Sequence, residues 1–231
     1  MATYALVHGA GDSASSWDLV ALELRDRGHD VVAVDLPSED DSAGWADYAG
    51  AVASAVGPRD DVVLVAHSLG GFTAPLVCTR IPVDLMVMVA AMIPSPGETA
   101  DEWWVTSGYQ RAMRGRGEED DLVAVFYQDV PPAMAAAALR RARGQSDTPM
   151  REPWPLERWP DVPTRFVLCR DDRMFPADWL RGFVRGRLGI VPDEMDGGHC
   201  PYLSRPTELA ERLETYRLGV RGAPEAARRT S

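Results

Sequence analysis

The chain has 231 residues, 45% of them hydrophobic and 26% charged, a composition that predicts a soluble, globular protein of a single domain, residues 1–231. Its formal net charge of −11 disfavours nucleic acid and anionic membranes as partners, because both would repel it, and favours a small-molecule substrate. All 24 basic residues are arginine, which excludes lysine Schiff-base chemistry and a P-loop lysine.

The amino-terminal part alternates short apolar runs with amphipathic segments. Residues 3–8 are predicted to form a strand, followed by a glycine-rich loop and a helix over about 15–27. A second strand is predicted over 31–34 and a second helix over 44–56. The acidic residues 39–41 indicate a solvated loop rather than a metal site, because no histidine or cysteine stands nearby.

A strand, a sharp turn and a helix are predicted around Ser68. The apolar run that begins at Val62 ends abruptly at residues 66–70, and helical spacing follows to about Arg80. Such a turn exposes the serine hydroxyl at the edge of a parallel sheet and needs small neighbours, which Ala66 and Gly70 supply. Ser68 is therefore the candidate nucleophile, with a helix-capping serine as the alternative.

The second half of the chain interrupts this alternation and then resumes it. After a strand within 83–91, residues 94–163 are rich in Trp, Met and Pro, which predicts an inserted helical lid or, alternatively, a second core layer. Strands return at 164–169 and within 188–195, and a mobile tail is predicted over 219–231. The pattern predicts an α/β protein with a mostly parallel, doubly wound sheet and chemistry at the carboxyl ends of its strands.

His199 is the candidate base, because a serine hydroxyl attacks a carbonyl only when an imidazole accepts its proton. It follows a predicted strand on the side of the sheet where Ser68 emerges. His8 and His67 are predicted to border the substrate pocket, and His29 precedes a strand at the opposite edge.

Asp172 is the preferred carboxylate for orienting His199, because it lies four residues before the proline that starts the next helix. Asp171 stays open, since either aspartate could instead pair with a neighbouring arginine. The N–H groups of Ala10 and Leu69 are the candidate oxyanion-hole donors.

We expect an apolar pocket roofed by Trp103 and Trp104. We expect a cytoplasmic enzyme for three reasons. The three cysteines lack the spacing of a disulfide framework, no leader precedes the first strand, and no apolar run is long enough to cross a bilayer. Whether it forms a homo-oligomer is left open.

Four motifs occur in order along the chain: residues 6–10, residues 66–71, Asp172 with Pro176, and residues 197–199. On these motifs the chain resembles the α/β-hydrolase superfamily, and within it the branch of plant methyl esterases and hydroxynitrile lyases. The resemblance implies an α/β-hydrolase fold and cofactor-free, metal-free hydrolysis of a small, largely apolar carboxylic ester. Cys200 and Gly9 replace the lysine and threonine of the hydroxynitrile lyases, which favours ester hydrolysis over C–C bond cleavage.

Two further functions are alternatives. Residues 9–14 fit the G-x-G-x-x-[GA] pattern, and Asp35 ends the next strand, as in a dinucleotide-binding oxidoreductase using NAD(P). That interpretation leaves Ser68, Asp172 and His199 without a role. A non-catalytic binding protein on the same fold is the other alternative, and its cellular activity would survive Ser68→Ala.

Overall fold

One six-stranded sheet organises the chain, as seen in a computed structural model that describes residues 1–114 and 121–222. The strand order is β2-β1-β3-β4-β5-β6, and all neighbouring pairs of these strands are parallel. The strands are β1 (Thr3–Val7), β2 (Asp30–Val34), β3 (Val62–His67), β4 (Leu85–Val89), β5 (Thr164–Cys169) and β6 (Asp193–Met195). The predicted α/β class with a parallel sheet is confirmed.

Helices cover both faces of this sheet, so the predicted doubly wound arrangement is also confirmed. One face is covered by a 3₁₀ turn (Ala14–Trp17), α1 (Asp18–Asp26), α10 (Pro201–Ser204) and α11 (Pro206–Gly222). The other face is covered by α2 (Trp45–Val56), α3 (Gly70–Val77) and α9 (Ala177–Leu188). Burial on both faces explains why the central strands read as continuous apolar runs: every residue of β1, β3 and β4 is buried.

Five short helices lie between β4 and β5, and no strand occurs in the described residues of this insertion. They are α4 (Ala100–Thr106), α5 (Tyr109–Ala112), α6 (Leu122–Phe126), α7 (Pro132–Arg141) and α8 (Asp147–Arg151). The predicted helical character of the insertion is confirmed, although residues 115–120 lie outside the described residues. Its start is fixed to α9 by the buried Glu98 carboxylate, which lies 2.7 Å from an Nη of Arg187.

The order of the strands places the carboxyl ends of β1 and β3 side by side at the point where the chain reverses direction across the sheet. The chain passes from β1 outward to β2 and then returns to β3 on the other side of β1. In open α/β sheets this switch point leaves a crevice where ligands bind. The loops that carry Ala10 and Ser68 both open into it.

Helix α11 continues to Gly222 and so includes the first residues of the stretch from 219 that was predicted to be a mobile tail. The remainder of that predicted tail, 223–231, lies outside the described residues. Within the described ranges, none of the helices combines the length and the apolar character needed to cross a bilayer.

Candidate active site

Ser68 occupies a strained turn between β3 and α3. Its φ of +50° is a left-handed conformation that costs a non-glycine residue roughly 1–3 kcal/mol. Backbone hydrogen bonds hold it there: its carbonyl accepts from the N–H groups of Met92 (2.9 Å) and Gly71 (3.1 Å), and its N–H donates to Val89 O (3.3 Å). Neighbouring strands therefore stabilise the conformation that exposes the hydroxyl.

Three glycines permit the close approach of the first loop and this turn. A Cβ on Gly9 would lie 2.8 Å from the Ser68 Cβ, and one on Gly70 would lie 2.8 Å from the carbonyl oxygen of His8. A Cβ on Gly71 would collide with the carbonyl of the loop after β4. The glycines are thus required by packing around Ser68.

The structure brings Ser68, His199 and Asp172 together. The Ser68 Oγ lies 3.2 Å from His199 Nε2, and His199 Nδ1 lies 2.8 Å from Asp172 Oδ2. The other carboxylate oxygen accepts from the N–H groups of Met174 (2.8 Å) and Phe175 (2.9 Å). Because the carboxylate accepts a hydrogen bond from Nδ1–H, the neutral ring carries its proton on Nδ1, and the lone pair of Nε2 faces the serine hydroxyl.

Asp172, rather than Asp171, contacts the imidazole. Asp171 is exposed, and its carboxylate accepts from the Gly197 N–H at 3.1 Å while its own N–H donates to Gly197 O at 3.0 Å. Asp171 therefore shapes the loop that carries His199 without touching its ring.

His67 supports His199 from behind, a contact that the sequence did not indicate. Its Nε2–H donates to the backbone carbonyl of His199 at 2.8 Å, and the two rings meet edge to face with centroids 4.7 Å apart. Complete burial lowers the pKa of His67 well below its usual value, so the ring stays neutral. His67 also borders the cavity above Ser68.

His8 does not border the main cavity, in contrast to its prediction. Its Nδ1–H donates to Gly9 O at 2.8 Å, and its Nε2 accepts from the Leu36 N–H at 3.1 Å. Burial lowers the pKa of this ring as well. Both ring nitrogens are engaged with backbone, so His8 joins the ends of β1 and β2 instead of facing a ligand.

A cavity of about 440 Å³ opens above Ser68. Its wall is mostly apolar and aromatic, and it also includes the two residues predicted to supply oxyanion-hole N–H groups, Ala10 and Leu69. The main apolar residues of the wall are Met92, Trp104, Leu122, Phe126, Leu139, Met150 and Met174. A cavity of this size admits a small ligand whose reacting carbon lies beside the serine oxygen.

Of the two tryptophans predicted to roof the pocket, Trp104 borders this cavity and Trp103 does not. The Trp103 ring is completely buried among aromatic side chains, and its Nε1–H donates to Ile93 O at 3.0 Å. An indole whose N–H finds a backbone partner is well suited to a core position. Trp103 meets the edge of Trp104 at a centroid distance of 5.1 Å and so lies behind the cavity wall.

Comparison with known proteins identifies the family. Residues 5–212 match the model of the alpha/beta hydrolase family. The chain is 33% identical to a probable esterase, PIR7A, of Oryza sativa subsp. indica, over 91% of this chain and 94% of the relative. It is 26% identical to methylesterase 7 of Arabidopsis thaliana, again over 91% of this chain and 94% of the relative.

A solved structure shows the same fold. The crystal structure of polyneuridine aldehyde esterase superposes with a TM-score of 0.76 at 22% identity, covering 94% of this chain and 99% of that one. This superposition agrees with the parallel sheet described above. The chain therefore belongs to the alpha/beta hydrolase family, and within it the chain is similar, at low identity, to esterases of the plant methylesterase branch.

Proposed function

We propose that the protein is a serine hydrolase that cleaves a small, largely apolar carboxylic ester through an acyl-enzyme intermediate. The observation that carries this proposal is the alignment of Ser68 Oγ, His199 and Asp172 at the floor of an apolar cavity, with spacings of 3.2 Å and 2.8 Å. Nucleophile, base and orienting carboxylate then form a catalytic triad.

In the first half of the reaction the Ser68 Oγ attacks the ester carbonyl while its proton passes to His199 Nε2. Asp172 stabilises the resulting imidazolium through the bond to Nδ1. The N–H groups of Ala10 and Leu69 are proposed to stabilise the oxyanion of the tetrahedral intermediate. Collapse of that intermediate breaks the bond to the alcohol, which leaves with the proton from Nε2.

In the second half a water molecule attacks the acyl-enzyme. His199 Nε2 accepts a proton from the water, and a second tetrahedral intermediate forms at the same oxyanion site. Its collapse releases the carboxylic acid and returns the proton to Ser68. The burial of the His199 and Asp172 side chains, 1% and 0% exposed, keeps competing solvent away from this pair.

The wall of the cavity supports a substrate with a compact, largely apolar body. Apolar side chains of Trp104, Phe126 and Met174 surround the space above the serine. Transfer of apolar groups into such a site contributes about 25 cal/mol per Å² of buried surface. An ester with a short aliphatic or aromatic acyl group fits that environment better than a long polar acid.

The dinucleotide-binding alternative loses its main support in the structure. A Cβ on Gly9 would collide with the Ser68 Cβ, so packing alone accounts for a glycine at this position and no bound pyrophosphate is needed to explain it. Asp35, the candidate ribose ligand, instead accepts from the Ala14 N–H at 2.8 Å and pairs with Arg143 at 3.5 Å.

The proposal is tested with chromogenic short-chain esters and the variant Ser68→Ala. We expect turnover to fall by about 10⁴-fold or more, as triad loss does elsewhere. Ser54→Ala, at an exposed position of α2, is the matched control and should keep the wild-type rate. Turnover that survives Ser68→Ala would exclude the proposed mechanism, and a spectral change on adding NADPH would favour the oxidoreductase.

A further inference from the structure

One carboxylate in the cavity wall has no role in the proposed triad. Asp12 follows β1, in the same loop as Ala10, and borders the cavity that contains Ser68. Its Oδ2 accepts from the hydroxyl of Tyr202 at 2.8 Å, and its Oδ1 accepts from the Ser13 N–H at 2.9 Å and from the hydroxyl of Ser16. These bonds fix the orientation of the carboxylate.

Among the residues that the structure describes, no arginine forms an ion pair with Asp12, although the positive charge of Arg141 is near enough to lower the pKa of its carboxyl. Arg143, which also borders the cavity, pairs with Glu39 at 3.1 Å and with Asp35 at 3.5 Å, and donates to the carbonyl of Leu36. The charge of this arginine is therefore already compensated by carboxylates outside the cavity.

Burial raises the pKa of Asp12, against hydrogen bonds from Tyr202 and the Ser13 N–H and the charge of Arg141, which lower it. A partly buried carboxylate without a directly paired cation is electrostatically costly. A cationic ligand group would relieve that cost, whereas a carboxylate on the ligand would increase it.

The surroundings of Asp12 also suit a cation. Phe126, Tyr127 and Tyr202 border the same cavity, and aromatic faces attract ammonium groups when these are removed from water. A net charge of −11 adds a long-range attraction for cations that acts before binding. The charge of Asp12, the aromatic side chains in the cavity wall and the net charge of the protein therefore all favour a cationic ligand group.

We propose that Asp12 and the aromatic wall beside it form a subsite for an ammonium group, so that the substrate is an ester that carries a protonated or quaternary amine. This inference rests on the proposed ester hydrolysis at Ser68. A cavity of 440 Å³ is about 9 Å across if treated as a sphere, which limits the separation between the ammonium and the ester carbonyl to a few bonds.

A matched pair of esters tests the subsite. One is 4-nitrophenyl 4-(trimethylammonio)butanoate, and the other is its neutral isostere, 4-nitrophenyl 5,5-dimethylhexanoate. After correction for their spontaneous hydrolysis, we expect the wild-type kcat/KM to favour the cationic ester by about 10-fold or more. Asp12→Asn keeps the shape and removes the charge: its amide oxygen accepts from the Ser13 N–H, and its NH₂ group donates to the Tyr202 hydroxyl. This variant should reduce the ratio by about 10-fold.

Asp26→Asn is the matched control, because it removes one negative charge from an exposed position of α1 outside the cavity. It should leave the ratio within 2-fold of wild type. A wild-type ratio near 1, or a ratio that Asp12→Asn does not change, would overturn the subsite while leaving ester hydrolysis intact. Failure to cleave either ester would instead count against the proposed function.

A binding measurement tests the subsite without turnover and without relying on the fold of a variant. Calorimetric titration of the wild-type protein with choline and with its neutral isostere, 3,3-dimethylbutan-1-ol, should show at least 5-fold tighter binding of choline. Equal affinities, or tighter binding of the alcohol, would overturn the inference whatever the esterase assay shows.

Discussion

Replacement of Asp172 by asparagine should disable the base rather than merely weaken it. The Oδ1 of Asp172 accepts two backbone N–H groups, those of Met174 and Phe175, so the carbonyl oxygen of an asparagine must take that position. Its NH₂ group then faces Nδ1 of His199 and donates to it. The imidazole is driven to the tautomer with its proton on Nε2, which cannot accept the proton of Ser68.

The size of the effect follows from these contacts. Turning the amide to restore the productive tautomer gives up two backbone hydrogen bonds, at about 1–1.5 kcal/mol each. Loss of the carboxylate charge beside the imidazolium adds about 2–3 kcal/mol. The sum, about 4–6 kcal/mol, corresponds to a loss of about 10³- to 10⁴-fold in kcat/KM.

The assay is ester hydrolysis by Asp172→Asn and Asp171→Asn side by side, with folding checked by thermal denaturation. An asparagine at 171 still accepts from the Gly197 N–H, so we expect less than about a 5-fold loss in that variant. If Asp172→Asn stays within 10-fold of wild type, or if Asp171→Asn is the more damaged protein, the assignment of the carboxylate is wrong.

Three further predictions concern stability. Burial lowers the pKa values of His8 and His67, so below pH 6.5 the unfolded chain binds more protons than the folded one. Lowering the pH from 6.5 to 5 should therefore reduce the free energy of unfolding by up to about 1.4 kcal/mol per pH unit for each ring. A flat urea-denaturation profile over that range would refute this. Glu98→Gln leaves Arg187 without its buried counter-charge and should cost about 3 kcal/mol in chemical denaturation, and a loss below 1 kcal/mol would contradict it. Gly71→Ala places a Cβ against a backbone carbonyl, so soluble expression or melting temperature should drop sharply, and a wild-type melting curve would show that the turn can relax.

The strands and the turn at Ser68 were predictable because their signals are local. β3 begins at Val62, where the predicted apolar run begins, and it ends directly before the serine with its small neighbours. The helical insertion was recognisable from its composition. Helix α10, with only four residues, is too short to show any periodicity and was missed.

The contacts that complete the site are not local, which is why sequence reasoning placed some residues wrongly. Trp103 and Trp104 are adjacent on one short helix, and nothing in their order indicates which ring enters the core. The bond from His67 to the carbonyl of His199 joins positions 132 residues apart. The Gly198 N–H donates to Asp129 at 2.9 Å, so the loop that carries His199 packs directly against the insertion, a contact between distant parts of the chain.

The most direct test of the account is to locate covalent adducts after incubation with a fluorophosphonate, which traps serines activated by an imidazole. Peptide mass mapping should find a single modified site, Ser68, in the wild-type protein and no adduct in Ser68→Ala. An unmodified wild-type protein, or an adduct on another residue that persists in Ser68→Ala, would contradict the claim that Ser68 is the nucleophile.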